Sequence, residues 1–132
     1  MQRLTISTHQ GTELVDITPT VQDGVEQMGA VDGVLYLFCP HTTAGLTLNE
    51  NWDADVKRDL LLTVDGHIAP PDARHRHAEG NSPAHIKTSL FGSSALVFVE
   101  DGRLLLGQWQ GVYLAEFDGP RQRQVWLKFL ER

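Results

Sequence analysis

The stretch "SALVFVEDGRLLLG", residues 94–107, holds two apolar runs on either side of Asp101-Gly102. Asp-Gly is favoured in a type I′ hairpin turn, where both central residues take positive φ, so this stretch predicts an antiparallel strand pair. Working outward, "GVYLAEF" (111–117) and "RQVWLKFL" (123–130) read as two more strands separated by "DGPRQ". "GVLYLFCP" (33–40) is a continuous apolar run of strand length closed by Pro40, which predicts a central strand buried on both faces. At the start of the chain, "RLTISTHQ" (3–10) alternates Leu4 and Ile6 with polar residues, and "GTELVDI" (11–17) is expected to be its hairpin partner after a turn at Gly11.

Helical spacing occurs in three places. Val21, Val25 and Met28 follow Pro19, with Thr18 as the expected N-cap and Gly29 or Gly33 as the stop. Trp52, Val56 and Leu60 form one stripe of a helix capped by Asn49 or Asn51, with Asp53 and Asp55 in its first turn. "AHIKTSLFG" (84–92) reads as a short helix stopped by Gly92. Strands outnumber helices and the closing hairpins favour antiparallel pairing, so the expected fold is a single α+β domain over residues 1–132, with a largely antiparallel sheet or sandwich and a few short helices.

Composition narrows the function. A formal net charge of −6 argues against coating nucleic acid or an anionic membrane by electrostatics alone, and no apolar run is long enough to span a bilayer. The single cysteine, Cys39, lies in an apolar run and reads as a small buried hydrophobe in a protein of the reducing cytoplasm. No P-loop or dinucleotide fingerprint is present.

The histidines are the main chemical signal. His75, His77 and His85 flank a Gly-Asn-Ser-Pro turn in the longest irregular segment (65–83), and His41 follows directly on the central strand. His77 and His85 lack the i, i+4 spacing of a one-helix zinc site and would share a metal only if the turn folds back; His41, His77 and His85 would then supply three ligands. The alternatives are a solvated loop for His75 and His77, a helix-start histidine for His85, and a surface histidine at His41. Ser89 stands one helical turn after His85 without a nucleophile elbow, so a nucleophile role is disfavoured. Glu50 is a candidate acid–base group if its end of the predicted helix faces the histidines. Arg121 and Arg123, with Lys87, are candidate phosphate ligands against the alternative of a solvated turn. Trp109, in "GQWQG", lies between two glycines that permit close approach of backbone or ligand, against the equal alternative of a core residue.

Taken in order, "PHTTAGLTLNENWD" (40–53), "HAEGNSPAHIKTSLFG" (77–92) and "GRLLLGQWQGVYLAEFDGPR" (102–121) resemble the YjbQ family, also called the secondary thiamine-phosphate synthase family, over almost the whole chain. The resemblance implies a small α+β domain with a mixed sheet, assembled as a homotrimer, with a histidine-lined site near subunit contacts. On the matching motifs, the resemblance implies that His41, Glu50 and His85 would carry catalysis. It implies Thr42, Asn49, Lys87, Trp109, Gln110 and Arg121 as substrate-binding residues. His41, His77 and His85 would hold a divalent metal, zinc first and magnesium second, with His75 as an alternative to His77. Gln108 departs from the Thr usual in the family's "GTWQG" motif. The implied activity joins hydroxymethylpyrimidine diphosphate to a thiazole phosphate, read here as a weak secondary reaction. The rival readings are a metal-assisted hydrolase of a small phosphorylated metabolite and a non-catalytic trimeric protein that binds a metabolite or metal.

Overall fold

The computed structural model describes all 132 residues. Strands β1 (Gln2–Ser7), β2 (Glu13–Asp16), β3 (Gly33–Phe38), β4 (Ala44–Glu50), β5 (Ser94–Glu100), β6 (Arg103–Leu105), β7 (Gln110–Glu116) and β8 (Gln122–Glu131) alternate with helices α1 (Thr18–Gln27), α2 (Ala54–Thr63) and α3 (Ser82–Phe91). A π-helical turn, Val64–Ile68, extends α2. The α+β expectation holds. The strands form a five-stranded sheet, β1-β8-β3-β5-β6, and a three-stranded sheet, β2-β7-β4, and every pairing in both is antiparallel.

The β5–β6 hairpin turns at Asp101 and Gly102, both with positive φ, as the Asp-Gly dipeptide predicts. The first hairpin is a correction. β1 pairs with β8 and β2 pairs with β7, so the chain passes from one sheet to the other between Ser7 and Glu13. Likewise β7 and β8 are consecutive yet lie in different sheets.

The main core fills the space between the sheets, with Leu35, Leu37, Leu46, Val99, Leu114 and Leu127 fully or almost fully buried alongside Val21 and Val25 of α1. A second cluster, Leu14, Ala84, Tyr113, Ala115 and Phe117, lies with half-buried Leu60, Leu61 and Phe91 from α2 and α3. The three-stranded sheet is thereby covered on both faces, and β7 is the strand buried on both sides. β3 is central but buried on one face only: Leu35 and Leu37 point inward, while Tyr36 and Phe38 are 48% and 43% exposed. Leu96, Phe98 and Leu130 are exposed on the strands beside it, and Leu105 on β6 beyond β5.

Helix boundaries also differ from expectation. Thr18 is the first helical residue of α1, and its hydroxyl donates to Asp16 Oδ1 at 2.6 Å rather than capping the helix; the N-cap is Ile17. Residues 44–50 form β4, so Asn49 and Glu50 are in a strand, and α2 starts after Asp53, whose carboxylate accepts from Asp55 N at 2.9 Å. Trp52 precedes the helix and is exposed. α3 ends at Gly92 as expected, with φ +94. A Cβ on Gly45 would lie 2.6 Å from Gly92 O, so glycine lets β4 run against the end of α3. That packing brings α3 and its histidine beside the end of β3. No helix is long and apolar enough to cross a membrane.

Candidate functional site

β3 ends at Phe38, and two residues on Pro40 has no N–H to continue the ladder. Phe38 is paired with Trp126, and two residues further on the position opposite Gln124 falls to Pro40. There the imidazole of His41 takes the place of a strand carbonyl: its Nε2 accepts from the backbone N–H of Gln124 at 2.8 Å. An acceptor Nε2 places the proton of the neutral ring on Nδ1. Burial, then the charge of Arg123, lowers the His41 pKa and keeps the ring neutral.

His41 borders a cavity of about 380 Å³ lined, apart from Pro40, by polar residues. Thr42, His77, Glu79, His85, Arg121 and Arg123 share that lining, so the irregular segment does fold back onto α3 and β8. The rings of His77 and His85 stand edge to face with centroids 5.2 Å apart. His75 lies on an adjoining groove with His77 and His85, outside this cavity.

Beneath the cavity is a buried ion pair that the sequence gives little sign of. Glu116 is fully buried, and its carboxylate receives Arg123 Nε at 2.9 Å, the Thr8 hydroxyl at 2.8 Å and the Asp118 N–H at 3.0 Å. Burial alone would raise the Glu116 pKa, but these three donors outweigh it and hold the group below its usual value. Arg123 Nη2 also donates to Thr43 Oγ1 at 2.7 Å, whereas Nη1 bonds to nothing within the chain. Thr8 Oγ1 accepts from the Arg121 N–H at 2.9 Å, and Arg121 Nη2 reaches Asp118 Oδ2 at 3.2 Å. Asp118 Oδ2 in turn accepts from Asn81 Nδ2 at 2.8 Å. Glu79 has no ion-pair partner.

Other expected site residues lie elsewhere. Lys87, two positions after His85, turns to the opposite side of α3, where it is buried against Asp65 and lies 5.7 Å from the Phe117 ring centroid. Asn49 and Glu50 pair with Gly111 and Gln110, at the far end of β4 from Ala44. Six residues of strand put them about 20 Å from the histidine end. There Trp109 packs edge-on against Trp52 with centroids 5.6 Å apart, and Gln110 Oε1 accepts from Gly107 N at 2.8 Å. The space beside Gly107 and Gly111 is taken by the side chains of Gln110 and Asn51. Ser89 donates to the His85 carbonyl at 3.1 Å, an ordinary helical back-bond. Cys39 is buried, donates to Ala44 O at 3.3 Å, and is pushed up to about 11 by burial, which leaves it an inert thiol.

Cavity and chemistry can be set against a metal centre. Two imidazoles about 5 Å apart suit two corners of a tetrahedral ion. No three His, Cys, Asp or Glu side chains converge as a ligand set, and a neutral His41 with its proton on Nδ1 presents a donor rather than a lone pair. Of the three expected ligands, His77 and His85 lie side by side, and His41 does not join them as a third lone-pair donor in this arrangement.

Comparison with known proteins agrees with the resemblance seen in the motifs. The model of the family described as UPF0047 protein YjbQ-like matches residues 2–132. A UPF0047 protein of Methanocaldococcus jannaschii is 46% identical over 125 residues, covering 95% of this chain and 90% of the relative. Bacillus subtilis YugU is 45% identical over 130 residues, covering 98% of each. Among solved structures, an uncharacterised conserved YjbQ/UPF0047 protein of Clostridium acetobutylicum superposes with a TM-score of 0.93 at 47% identity, covering 98% of this chain and all of the other. A protein of unknown function from Sulfolobus solfataricus superposes with a TM-score of 0.91 at only 30% identity, covering 99% and 96%. The match along nearly its whole length, in sequence and in fold, makes this chain a member of the YjbQ-like UPF0047 family.

Proposed function

We propose that the chain is a cytoplasmic enzyme acting on a small phosphorylated metabolite, with the cavity between His41, His77, His85 and Arg121 as its active site. The observation that carries this reading is the Arg123 guanidinium, buried, fixed by Glu116, and keeping Nη1 free at a cavity that also holds Arg121. A guanidinium already oriented by a carboxylate loses little freedom on binding a phosphate oxygen. His77 and His85 hold a divalent cation, zinc first and magnesium second. When bound there, the cation supplies a Lewis acid and a water of lowered pKa. His41 stays neutral and donates from Nδ1 to an oxygen gaining negative charge. Glu79, the lining carboxylate without a partner, takes the acid–base role that sequence reasoning gave to Glu50.

Joining hydroxymethylpyrimidine diphosphate to thiazole phosphate belongs to this reading as a weak second reaction, because a cavity of about 380 Å³ suits one small ligand better than two. Assembly belongs to it as well. The exposed apolar face around Tyr36, Phe38 and Phe98 supports burial against further copies of the chain in a homotrimer. Asn49, Glu50, Trp109 and Gln110 would then reach a histidine cavity only as residues of a neighbouring copy. The test is turnover of the two thiamine precursors and of a panel of small phosphate esters, with zinc or magnesium, by the native protein and by His85→Ala. Hydrolysis or condensation that disappears in His85→Ala supports the reading; turnover unchanged by the substitution removes that reaction from this site.

A further inference from the structure

His41, Thr42 and His85 also line a second polar cavity of about 380 Å³, bounded by Thr88, Ser89 and Ser93. It adjoins the first through those three shared residues, yet its chemistry differs. No Arg, Lys, Asp or Glu lines it, and no apolar side chain does. Apart from the two histidines, its side-chain polar groups are all hydroxyls. Thr88 is 92% buried, and its Oγ1 has no hydrogen-bond partner within the chain. A buried hydroxyl left without a partner costs about 1–3 kcal/mol, so the position favours an occupant that can bond to it.

We propose that this cavity is the subsite for the body of the substrate, and that the substrate is a phosphorylated polyhydroxy compound, a sugar or polyol phosphate. The inference rests on the phosphate reading above for one end of the ligand and on the hydroxyl cavity for the other. A cavity without cations gives no hold to a second phosphate, and its hydroxyls set it apart from a pocket built of hydrocarbon side chains. Hydroxyl groups that both donate and accept match the hydroxyls of a polyol. With the phosphate at Arg121 and Arg123 and the polyol beside Thr88 and Ser93, the connecting atoms pass His41 and His85, where the reaction takes place.

The experiment is calorimetric titration of the intact protein, loaded with zinc, with inorganic phosphate, n-hexyl phosphate, sorbitol 6-phosphate and sorbitol. Thr88→Val keeps the side-chain shape and removes the hydroxyl; Ser93→Ala is the second variant should the first fail to fold. Sorbitol 6-phosphate is expected to bind about tenfold or more tightly than n-hexyl phosphate, on the scale of one or two hydrogen bonds. Either variant is expected to cut that ratio severalfold and leave inorganic phosphate affinity unchanged. Equal affinity for the two esters in the native protein, or a ratio untouched by both variants, overturns the subsite. Sorbitol binding that depends on Thr88, with no binding of inorganic phosphate, would keep the hydroxyl subsite and sink the phosphate reading. Binding of none of the four would sink both.

Discussion

His41 Nε2 accepts a hydrogen bond from the backbone N–H of Gln124 at 2.8 Å, so just past the end of β3 a side chain supplies β8 with the acceptor that a strand carbonyl would give. The bond exists only while the ring is neutral. Because burial lowers the His41 pKa in the folded chain, the unfolded chain binds the extra proton more readily, and stability rises with pH across that interval. The melting temperature is therefore expected to be highest above about pH 6.5 and to fall as pH drops below it. In His41→Gln the fall should be shallower. Melting curves between pH 5 and 8 for both proteins check this; parallel curves would show that His41 does not carry the dependence.

Breaking the Glu116–Arg123 pair should be costly. Arg123→Ala leaves a fully buried carboxylate without its main partner and is expected to destabilise the fold by about 3–5 kcal/mol in urea unfolding. Replacing both residues together, Glu116→Leu with Arg123→Met, should cost less than the single change. A double variant as unstable as Arg123→Ala would contradict the view that the unpaired charge dominates. Glu116 also links the pair to pH, with the same sign as His41 and further into the acid range: its folded pKa is depressed, so its contribution is present above the ordinary value of 4.5 and is lost as pH falls through the lower folded value.

The exposed face of the five-stranded sheet predicts assembly. Phe98→Glu adds a charge at the middle of that face, where Phe98 is 55% exposed in the single chain. Light scattering is expected to give three chain masses for the native protein and one for the variant. A native monomer would remove the trimer and leave the apolar face unexplained.

Metal content separates the histidines. Plasma mass spectrometry on tag-free protein should find zinc or another divalent ion lost in His77→Ala and in His85→Ala and retained in His41→Gln. Loss in His41→Gln as well would restore His41 as a ligand and require its ring to give up the Gln124 bond.

Much of the fold was legible in local sequence. Asp101-Gly102 and the runs beside it marked the β5–β6 hairpin, and Gly92 marked the end of α3. What was not legible depends on pairing between distant segments. β2 lies beside β7 rather than β1, because Leu14 belongs to the second apolar cluster while Ile6 belongs to the main core. β4 was hidden by Asn49 and by Asn51 just beyond it, which read as helix caps, although Leu46 and Leu48 already alternate with Thr47 and Asn49. Among site residues, His41, His77, His85, Thr42 and Arg121 meet at one cavity as the motifs suggested. Glu116 passed unnoticed inside an apolar strand; a charge in such a run, with Arg123 close by in sequence, was the available sign of a buried pair. Lys87, two residues from His85, faces another side of the helix, as the helical period dictates, and meets Asp65 there.

The most direct measurement is titration of inorganic phosphate into the zinc-loaded native protein, Arg121→Ala and Arg74→Ala, the last losing an arginine already paired with Asp72 in the loop. Phosphate is expected to bind the native protein and Arg74→Ala equally and to bind Arg121→Ala about tenfold more weakly. Absence of binding to the native protein, or equal weakening in the two variants, would contradict a phosphate site built on Arg121 and Arg123.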